Sequence, residues 1–302
     1  MSKLSENIKR LLGIKSQRQQ LSKVDLTSLS AVRSSVPIRG RHISIRTLVA
    51  IFPLFQTTSG GGRFRMERAH LMIQTVNKIF PLLSGLSMDL TKQKLRPSKI
   101  SDFPQDPDEI SSVEKLQLLF NHYGSDKASL NGYHFVYGAI LKRKDEIGKI
   151  FEIGLGTNNP DVISNMGVSG HPGASLRAFR DYCPNAQIFG ADIDRRVLFE
   201  EDRIKTFFVD QTDSSTFEAL APLIPNDFDL MIDDGLHSPS ANLETLRFFL
   251  TKVAVGGWVV IEDIGHAAVD VWEVVAALMA GAYECHLLDG GPVVMFAARR
   301  LQ

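Results

Sequence analysis

From about residue 112 to the end of the chain, short apolar runs alternate with segments whose apolar residues recur at helical spacing. Alternating strands and helices predict a parallel sheet with helices on both faces, and the last two runs, on either side of Gly290-Gly291, predict an antiparallel hairpin. The predicted fold is a doubly wound, mostly parallel α/β sheet. The predicted strands are 149–153, 187–193, 205–210, 228–233, 257–263, 283–289 and 292–298, and the predicted helices are 175–183, 241–253 and 269–281.

The part of the chain before this sheet has a different pattern. Residues 1–46 are irregular or loosely helical in character, and the three glycines at 60–62 predict a flexible turn. Residues 66–86 carry apolar positions at helical spacing, which predicts a helix. The polar, proline-containing stretch 95–109 predicts a linker. We therefore divide the chain into a mainly helical N-terminal extension at residues 1–110 and an α/β domain at residues 111–302.

The formal net charge of zero conceals an uneven distribution. Residues 1–100 hold 18 of the 34 Lys and Arg but only 4 of the 34 Asp and Glu. Such a basic region is typical of an arm for nucleic acid or another anionic surface, of a transit peptide, or of an arm that packs on the acidic half of its own or a neighbouring subunit. No aromatic residues interleave with the basic ones as in a nucleic-acid groove. We expect no nucleic-acid partner, and we expect a homo-oligomer.

The composition of the chain indicates the cellular compartment of the protein. No apolar run approaches the roughly 20 residues that span a bilayer; the longest near the N-terminus is LVAIFPLF, residues 48–55. The two cysteines, Cys183 and Cys285, form neither a disulfide framework nor a CxxC metal site. We therefore expect a cytoplasmic protein without a membrane partner.

Acidic residues close each of the first five predicted strands of the sheet. A single acid at a strand end is often only a solvated terminus or the N-cap of the next helix. Five together are harder to explain in this way, because ligands of open α/β sheets bind at the carboxyl ends of the strands. These acids are Glu152, Asp192 with Asp194, Asp210, Asp233 with Asp234, and Glu262 with Asp263.

The first strand ends in a glycine turn, FEIGLGTNNP. Gly154 and Gly156 let the backbone turn tightly and approach a ligand, and Asp192 can accept hydrogen bonds from two ribose hydroxyls. Asp192 lies 36 positions after Gly156, whereas the dinucleotide fingerprint places this acid about 20 residues on. An adenosine-containing ligand is favoured, and NAD is disfavoured.

The stretch LMIDDGLHSP, residues 230–239, predicts a metal site. Asp234 and His237 follow one strand and Glu262 and Asp263 end the next, so the three carboxylates converge if these strands are neighbours. A divalent cation relieves the repulsion between them, and oxygen ligands suit Mg²⁺ better than zinc. The alternative is an N-cap at Asp234 beside surface charges. His237 is either a general base or a structural histidine.

Several motifs together resemble one family. IDDGLH, the Glu262-Asp263 pair 28 positions after Asp234, YGSDK at 123–127, FEIGLG and GADID are similar to motifs of the metal-dependent O-methyltransferases that modify sugars on macrolide antibiotics, the mycinamicin 2''-O-methyltransferase type. The resemblance covers about residues 116–298. It implies the class I, Rossmann-like methyltransferase fold, S-adenosylmethionine and Mg²⁺ as cofactors, and a hydroxyl of a sugar or glycosylated natural product as acceptor.

The resemblance also implies roles for individual residues. Asp234, Glu262 and Asp263 would bind Mg²⁺, and His237 would be the general base. The alternatives are an NAD(P)-dependent oxidoreductase, or a relative that keeps the metal site but has a hydroxylase-like or purely binding role. The residues that would hold S-adenosylmethionine are Tyr123, Ser125, Glu152, Gly154, Gly156, Asp192, Asp210, Gln211 and Asp233.

Overall fold

The computed structural model describes residues 65–91 and 95–302, so the predictions for residues 1–46 and 60–62 lie outside the described residues. The first described helix, α1 (Arg65–Thr91), confirms the helix predicted at 66–86 and continues beyond it. The chain divides between Leu82 and Leu83 into two units, and the second unit holds the sheet. The domain boundary that we placed at residues 110/111 stays a prediction.

The sheet of this second unit has nine strands in the described residues, in the order β1-β8-β9-β7-β6-β2-β3-β5-β4. The pairs are parallel except β4 with β5, β7 with β9 and β8 with β9. The mostly parallel sheet with an antiparallel C-terminal strand is therefore confirmed. The strands are β1 (Ser98–Lys99), β2 (Lys149–Ile153), β3 (Gln187–Asp192), β4 (Glu200–Glu201), β5 (Ile204–Phe208), β6 (Phe228–Asp233), β7 (Val253–Ile264), β8 (Tyr283–Asp289) and β9 (Val294–Arg300).

Helices connect the strands, and local sequence fixes where several of them begin. Asp106 accepts a hydrogen bond from the backbone of Glu109, whose side chain bonds back to the Asp106 amide, and this capping box starts the helix at Pro107. Ser238 is the N-cap of the helix that begins at Pro239. The helices are α2 (Pro107–Tyr123), α3 (His134–Ile140), α4 (Ala174–Tyr182), α5 (Ser214–Leu220), α6 (Pro239–Phe249) and α7 (Val269–Met279).

The stretch 95–109 differs from the linker that its composition predicts. Ser98 and Lys99 form β1, which pairs in parallel with β8, and Ile100 is buried. Pairing of β1 uses backbone groups while both side chains stay exposed, so no apolar pattern marks the strand. This segment is consequently part of the sheet's edge.

The strand order reverses at β2. From β2 the chain proceeds outward through β3 and β5, and it then returns to the other side of β2 to form β6 and β7. Ile153, Asp233 and Ile261 are level with one another across β2, β6 and β7. The acids at or just beyond the carboxyl ends of these strands therefore lie together at the switch point, where ligands of open α/β sheets bind.

Helices α2 and α3 cover the same region from one face. Phe120 of α2, Tyr137 of α3 and Phe179 of α4 pack edge to face with ring centroids 5.3 to 6.3 Å apart. All three rings are fully buried. Because this packing anchors the segment between α2 and β2 over the strand ends, residues 125–137 reach the switch point.

Candidate functional site

A cavity of about 350 Å³ lies over the glycine turn at the end of β2. Gly154 has φ +95°, and a Cβ there would lie 2.0 Å from the carbonyl oxygen of Asp234. Gly156 has φ +79°, and its Cβ would lie 2.2 Å from the sulfur of Met166. Only glycine fits these two positions, and its missing side chain leaves the backbone at the cavity wall.

Asp192, at the end of β3, lines this cavity beside the turn. One carboxylate oxygen accepts the Leu155 amide at 2.8 Å, and the other accepts the Asp194 amide at 2.8 Å. Burial raises the pKa of Asp192 above its usual value, while these two amides oppose the rise. The carboxylate is thus held in one orientation and keeps lone pairs that can accept from hydroxyl groups of a ligand.

Asp194 forms a second acidic group at the rim of the cavity. Its carboxylate accepts hydrogen bonds from Thr157 at 2.7 Å, from Asn159 at 2.7 Å and from Arg196 at 2.6 Å. Arg196 also lies 3.0 Å from Asp161. The hydrogen bond from Arg196 is the largest of the effects that hold the pKa of Asp194 far below its usual value. The loop after the glycine turn is consequently tied to the end of β3.

Asp210, Gln211 and Asp233 divide between the cavity wall and its support. Asp210 and Gln211 line the cavity. The Gln211 side chain donates to Asp233 at 2.7 Å and accepts from the Leu236 amide at 2.8 Å. Asp233 is fully buried and lies outside the cavity lining. Its carboxylate therefore orients the loop through Gln211 rather than facing the space where a ligand fits.

A second cavity, of about 210 Å³, adjoins the first and shares Gly154, Gly156 and Asp234 with it. Ser125 lines this cavity. Tyr123 lines neither cavity, since its hydroxyl donates to Asp181 of α4 and accepts from Arg180. The structure brings Ser125 to the site as expected and places the Tyr123 side chain away from it.

Asp234, His237 and Asp263 meet in the second cavity. Each offers a ligand atom, and the three atoms lie within 4.8 Å of one another, which suits a shared metal ion. His237 Nε2 lies 3.6 Å from Asp263 Oδ2, and both side chains are about 30% exposed (31% and 29%). Both residues have positive φ, +55° and +53°. Such backbone conformations in residues other than glycine are costly and concentrate at functional sites.

Asp263 is oriented from behind by residues that the motifs did not single out. Tyr133 donates its hydroxyl to Asp263 Oδ1 and accepts the Asp263 amide at 3.1 Å. Asn131 donates to the same Oδ1 at 3.0 Å. With Oδ1 engaged, Oδ2 is the oxygen that lies toward His237. Burial is the largest cause that raises the pKa of Tyr133 far above its usual value, so its hydroxyl stays a donor.

Glu262 lies deeper than the group formed by Asp234, His237 and Asp263. It is 1% exposed, and its carboxylate accepts hydrogen bonds from Tyr137 and from Lys127. Lys127 Nζ lies 2.7 Å from both Glu262 Oε2 and Asp234 Oδ2. One ammonium group thus bridges two of the three carboxylates that we expected to share an ion, and Glu262 does not face the cavity itself.

Glu152, predicted to bind the cofactor, also belongs to this buried layer. It is fully buried, accepts hydrogen bonds from Ser175 and lies 3.2 Å from Lys127. Burial raises the pKa of Glu152 and Glu262, the latter well above its usual value, and Lys127 opposes both shifts. Burial alone would lower the pKa of Lys127, but Asp234, Glu152 and Glu262 together raise it well above its usual range. The lysine is therefore charged.

Sequence reasoning missed Lys127, Tyr133, Tyr137 and Asn131 as members of the site. Lys127 stood inside the YGSDK motif and was the one member with a signal in the sequence. The tyrosines and Asn131 belong to a stretch without any strand-end pattern. Their contribution follows only from the packing of α2 and α3 against the strand ends.

The sheet order, the glycine turn and the acid at the end of β3 define the class I methyltransferase fold. The crystal structure of the MycE methyltransferase from the mycinamycin biosynthetic pathway, in complex with Mg and SAH, supports this assignment. It superimposes with a TM-score of 0.50 at 23% sequence identity, covering 62% of this chain and 55% of that chain. The predicted fold is confirmed.

Sequence comparison gives relatives of the kind that the motifs resemble. The chain is 35% identical over 107 residues to mycinamicin VI 2''-O-methyltransferase of Micromonospora griseorubida, a match that covers 34% of this chain and 27% of the relative. It is 33% identical over 117 residues to 8-demethyl-8-(2-methoxy-alpha-L-rhamnosyl)-tetracenomycin-C 3'-O-methyltransferase of Streptomyces olivaceus, covering 38% of this chain and 27% of the relative. The resemblance stated from the motifs is confirmed.

These matches span less than a third of either relative's length. No family model matches the chain. Among residues 65–91 and 95–302, no helix combines the length and the hydrophobicity that crossing a membrane requires.

Proposed function

We propose that this protein transfers a methyl group from S-adenosylmethionine to a hydroxyl of a sugar or glycosylated small molecule, with the help of a divalent cation. One observation carries the proposal: the carboxylates of Asp234 and Asp263 lie together as candidate metal ligands beside His237, and this group adjoins a cavity walled by the glycine turn and Asp192. The similar sugar O-methyltransferases and the MycE complex with Mg and SAH support the choice of reaction and cofactors.

The residues of the first cavity fit S-adenosylmethionine better than a dinucleotide. The pyrophosphate of a dinucleotide is typically bound where a glycine turn leads directly into a helix N-terminus. Here α4 begins only at Ala174, after the long loop that follows Gly156. A methionine-linked adenosine has no phosphate and does not need that helix. Gly154, Gly156, Asp192, Asp210 and Gln211 would hold this cofactor.

The second cavity fits a hard divalent cation. Carboxylate oxygens of Asp234 and Asp263 are suitable ligands for Mg²⁺, which usually retains exchangeable waters. The surplus of buried carboxylates over the one ammonium of Lys127 also favours an added positive charge. Glu262, through Lys127 and Tyr137, would support this group, and a direct bond from Glu262 to the ion stays a prediction.

In this proposal each residue performs a defined part of the reaction. S-adenosylmethionine would supply the methyl group, whose bond to sulfur breaks as the bond to the acceptor oxygen forms, which leaves S-adenosylhomocysteine. A divalent cation would supply the positive charge that lowers the pKa of the acceptor hydroxyl. His237 accepts the proton of that hydroxyl, for which an imidazole is suited near neutral pH. Asp234 and Asp263 would hold the ion, and with it they would position the acceptor hydroxyl.

A binding and turnover experiment tests the proposal. The purified protein is titrated with S-adenosylhomocysteine and, separately, with NADH by calorimetry. It is then incubated with S-adenosylmethionine and rhamnosylated or macrolide glycosides, in Mg²⁺ or in EDTA, and products are identified by mass spectrometry. We expect binding of S-adenosylhomocysteine and Mg²⁺-dependent methylated product. Binding of NADH alone would contradict the proposal.

His237 is tested with a matched control. We expect His237→Ala to bind S-adenosylhomocysteine like the unchanged protein and to lose about two to four orders of magnitude in turnover. His266→Ala serves as control, since His266 contacts the carbonyl oxygen of Gly291, between β8 and β9, and lies outside both cavities. Equal turnover in both variants would remove His237 as the base.

We further propose that the protein acts in the cytoplasm as a homo-oligomer. Cys183 and Cys285 are both unpaired, as is usual in a reducing compartment. The basic residues of the first hundred positions and the acidic remainder provide opposite charges through which copies could associate. Light scattering at low and high salt tests the assembly, and a monomer at every salt concentration would contradict it.

A further inference from the structure

Lys127 is a charged residue in a place where an unpartnered charge is very unfavourable. It is 2% exposed, and its Nζ lies 2.7 Å from Asp234, 2.7 Å from Glu262 and 3.2 Å from Glu152. These carboxylates follow or belong to β2, β6 and β7, the three strands at the switch point. A single lysine from outside the sheet therefore holds together the acids of three strand ends.

Asp234 belongs to two groups at once. On one side it is paired with Lys127, and on the other it offers a ligand atom to the group formed with His237 and Asp263. An ion bound to Asp234 at the usual Mg²⁺–oxygen distance of about 2.1 Å would lie within roughly 7 Å of the ammonium. Two cations this close repel one another and compete for the same carboxylate.

We propose that Lys127 is a positioning residue that serves as a built-in cation of the metal site: it holds Asp234 and Glu262 in place without an ion, and it weakens binding of the divalent ion. The inference rests on the metal part of the proposed function. It gives Lys127 an effect opposite to that of an ordinary supporting residue, whose removal weakens metal binding. Removing Lys127 strengthens metal binding and destabilises the metal-free protein.

The physical reason is the charge that Lys127 leaves behind. Without the ammonium, no positive charge compensates the carboxyl groups of Glu152, Asp234 and Glu262, and repulsion between the ionised ones is no longer offset. The metal-free fold then bears this repulsion, whereas a divalent ion bound to Asp234 relieves part of it. The same change therefore lowers the stability of the free protein and increases what the ion adds to stability.

Lys127→Met tests the inference on the full chain, with Mn²⁺ as the probe. Mn²⁺ binding is measured by the spin-resonance signal of the free ion, and thermal unfolding is followed with and without Mn²⁺. We expect Lys127→Met to bind Mn²⁺ at least about tenfold more tightly than the unchanged protein. We also expect it to melt at a lower temperature without the ion and to gain more from the ion on heating.

Lys252→Met is the matched control. Lys252 is also buried, but it donates to the neutral oxygens of Ala221 and Asn226 near the opposite ends of the strands. We expect Lys252→Met to lower the melting temperature and to leave Mn²⁺ affinity within about twofold. A purely structural role of Lys127 would give its variant the same behaviour as this control.

A second comparison covers the case in which Lys127→Met alone does not fold. The double variant Lys127→Met, Glu152→Gln removes one positive and one negative charge, and it is compared with Glu152→Gln. Tighter Mn²⁺ binding in the double variant supports the inference, and equal or weaker binding overturns it. If the unchanged protein binds no Mn²⁺, the metal part of the proposed function fails together with the inference. If it binds Mn²⁺ but the variants show no tighter binding, the inference alone fails, so the two failures are distinguishable.

Discussion

Tyr133→Phe removes one hydroxyl and tests how the candidate metal site is oriented. That hydroxyl donates to Asp263 Oδ1 and accepts the Asp263 amide at 3.1 Å, while Asp263 is held at φ +53°. A hydrogen bond to a charged group contributes about 1.5–3 kcal/mol. Asn131 still donates to Oδ1 in the variant, so we expect the lower end, a loss of about 1.5 kcal/mol. Because the bond also stabilises the metal-free protein, only part of this loss reaches the metal affinity, and we expect metal binding to weaken by up to roughly tenfold.

Mn²⁺ titration of the purified variant measures this loss, and urea unfolding measures the accompanying loss of stability, which we expect to be about 1–2 kcal/mol. Tyr182→Phe is the control, because Tyr182 is likewise buried and lines neither cavity of the site. Tyr182→Phe should lose stability alone. If both variants bound Mn²⁺ as the unchanged protein does, the argument that Tyr133 orients Asp263 would be wrong.

Three further changes probe the cofactor cavity and the ion. Gly154→Ala places a Cβ 2.0 Å from the Asp234 carbonyl oxygen, so we expect loss of S-adenosylhomocysteine binding by calorimetry; unchanged affinity would show that the turn does not contact the cofactor. In the unchanged protein two backbone amides donate to the Asp192 carboxylate, and Asp192→Asn places an NH₂ group against one of them. We expect at least about tenfold weaker S-adenosylhomocysteine binding, and equal affinity would contradict a role of Asp192 in cofactor binding. Chelation with EDTA should abolish methyl transfer and Mg²⁺ should restore it, whereas full turnover in chelator would exclude a metal requirement.

The strands at the centre of the sheet were predictable because they are apolar runs that become buried, and residues typical of turns bound them at both ends. β2 and β6 match the predicted ranges 149–153 and 228–233 residue for residue. β7 begins four residues before the predicted range, since Gly256 and Gly257 lie inside the strand, although glycines usually indicate an interruption. The edge strand β1 pairs through its backbone with exposed side chains, and no hydrophobic pattern can reveal that arrangement.

The acids of the site were predictable as a set, but their division into two layers was not. Sequence order places Asp234, Glu262 and Asp263 at the carboxyl ends of two successive strands, and these ends meet at one edge if the strands are parallel neighbours, as β6 and β7 are. Adjacent positions such as Glu262 and Asp263 point to opposite sides of a strand. Only the packing of α2 and α3 determines that Lys127 lies on the buried side and that Tyr133 contacts Asp263.

The backbone conformation of His237 and Asp263 is a further feature of the candidate metal site. Among the described residues, the non-glycine residues with positive φ are Arg203, Asp227, His237 and Asp263. Arg203 and Asp227 directly precede β5 and β6, at turns that enter the sheet, and they line neither of the two cavities described above. His237 and Asp263 lie at the exits of β6 and β7 and share one cavity. Each such conformation costs about 1 kcal/mol or more, and two of them in one cavity support the proposal that His237 and Asp263 serve one site.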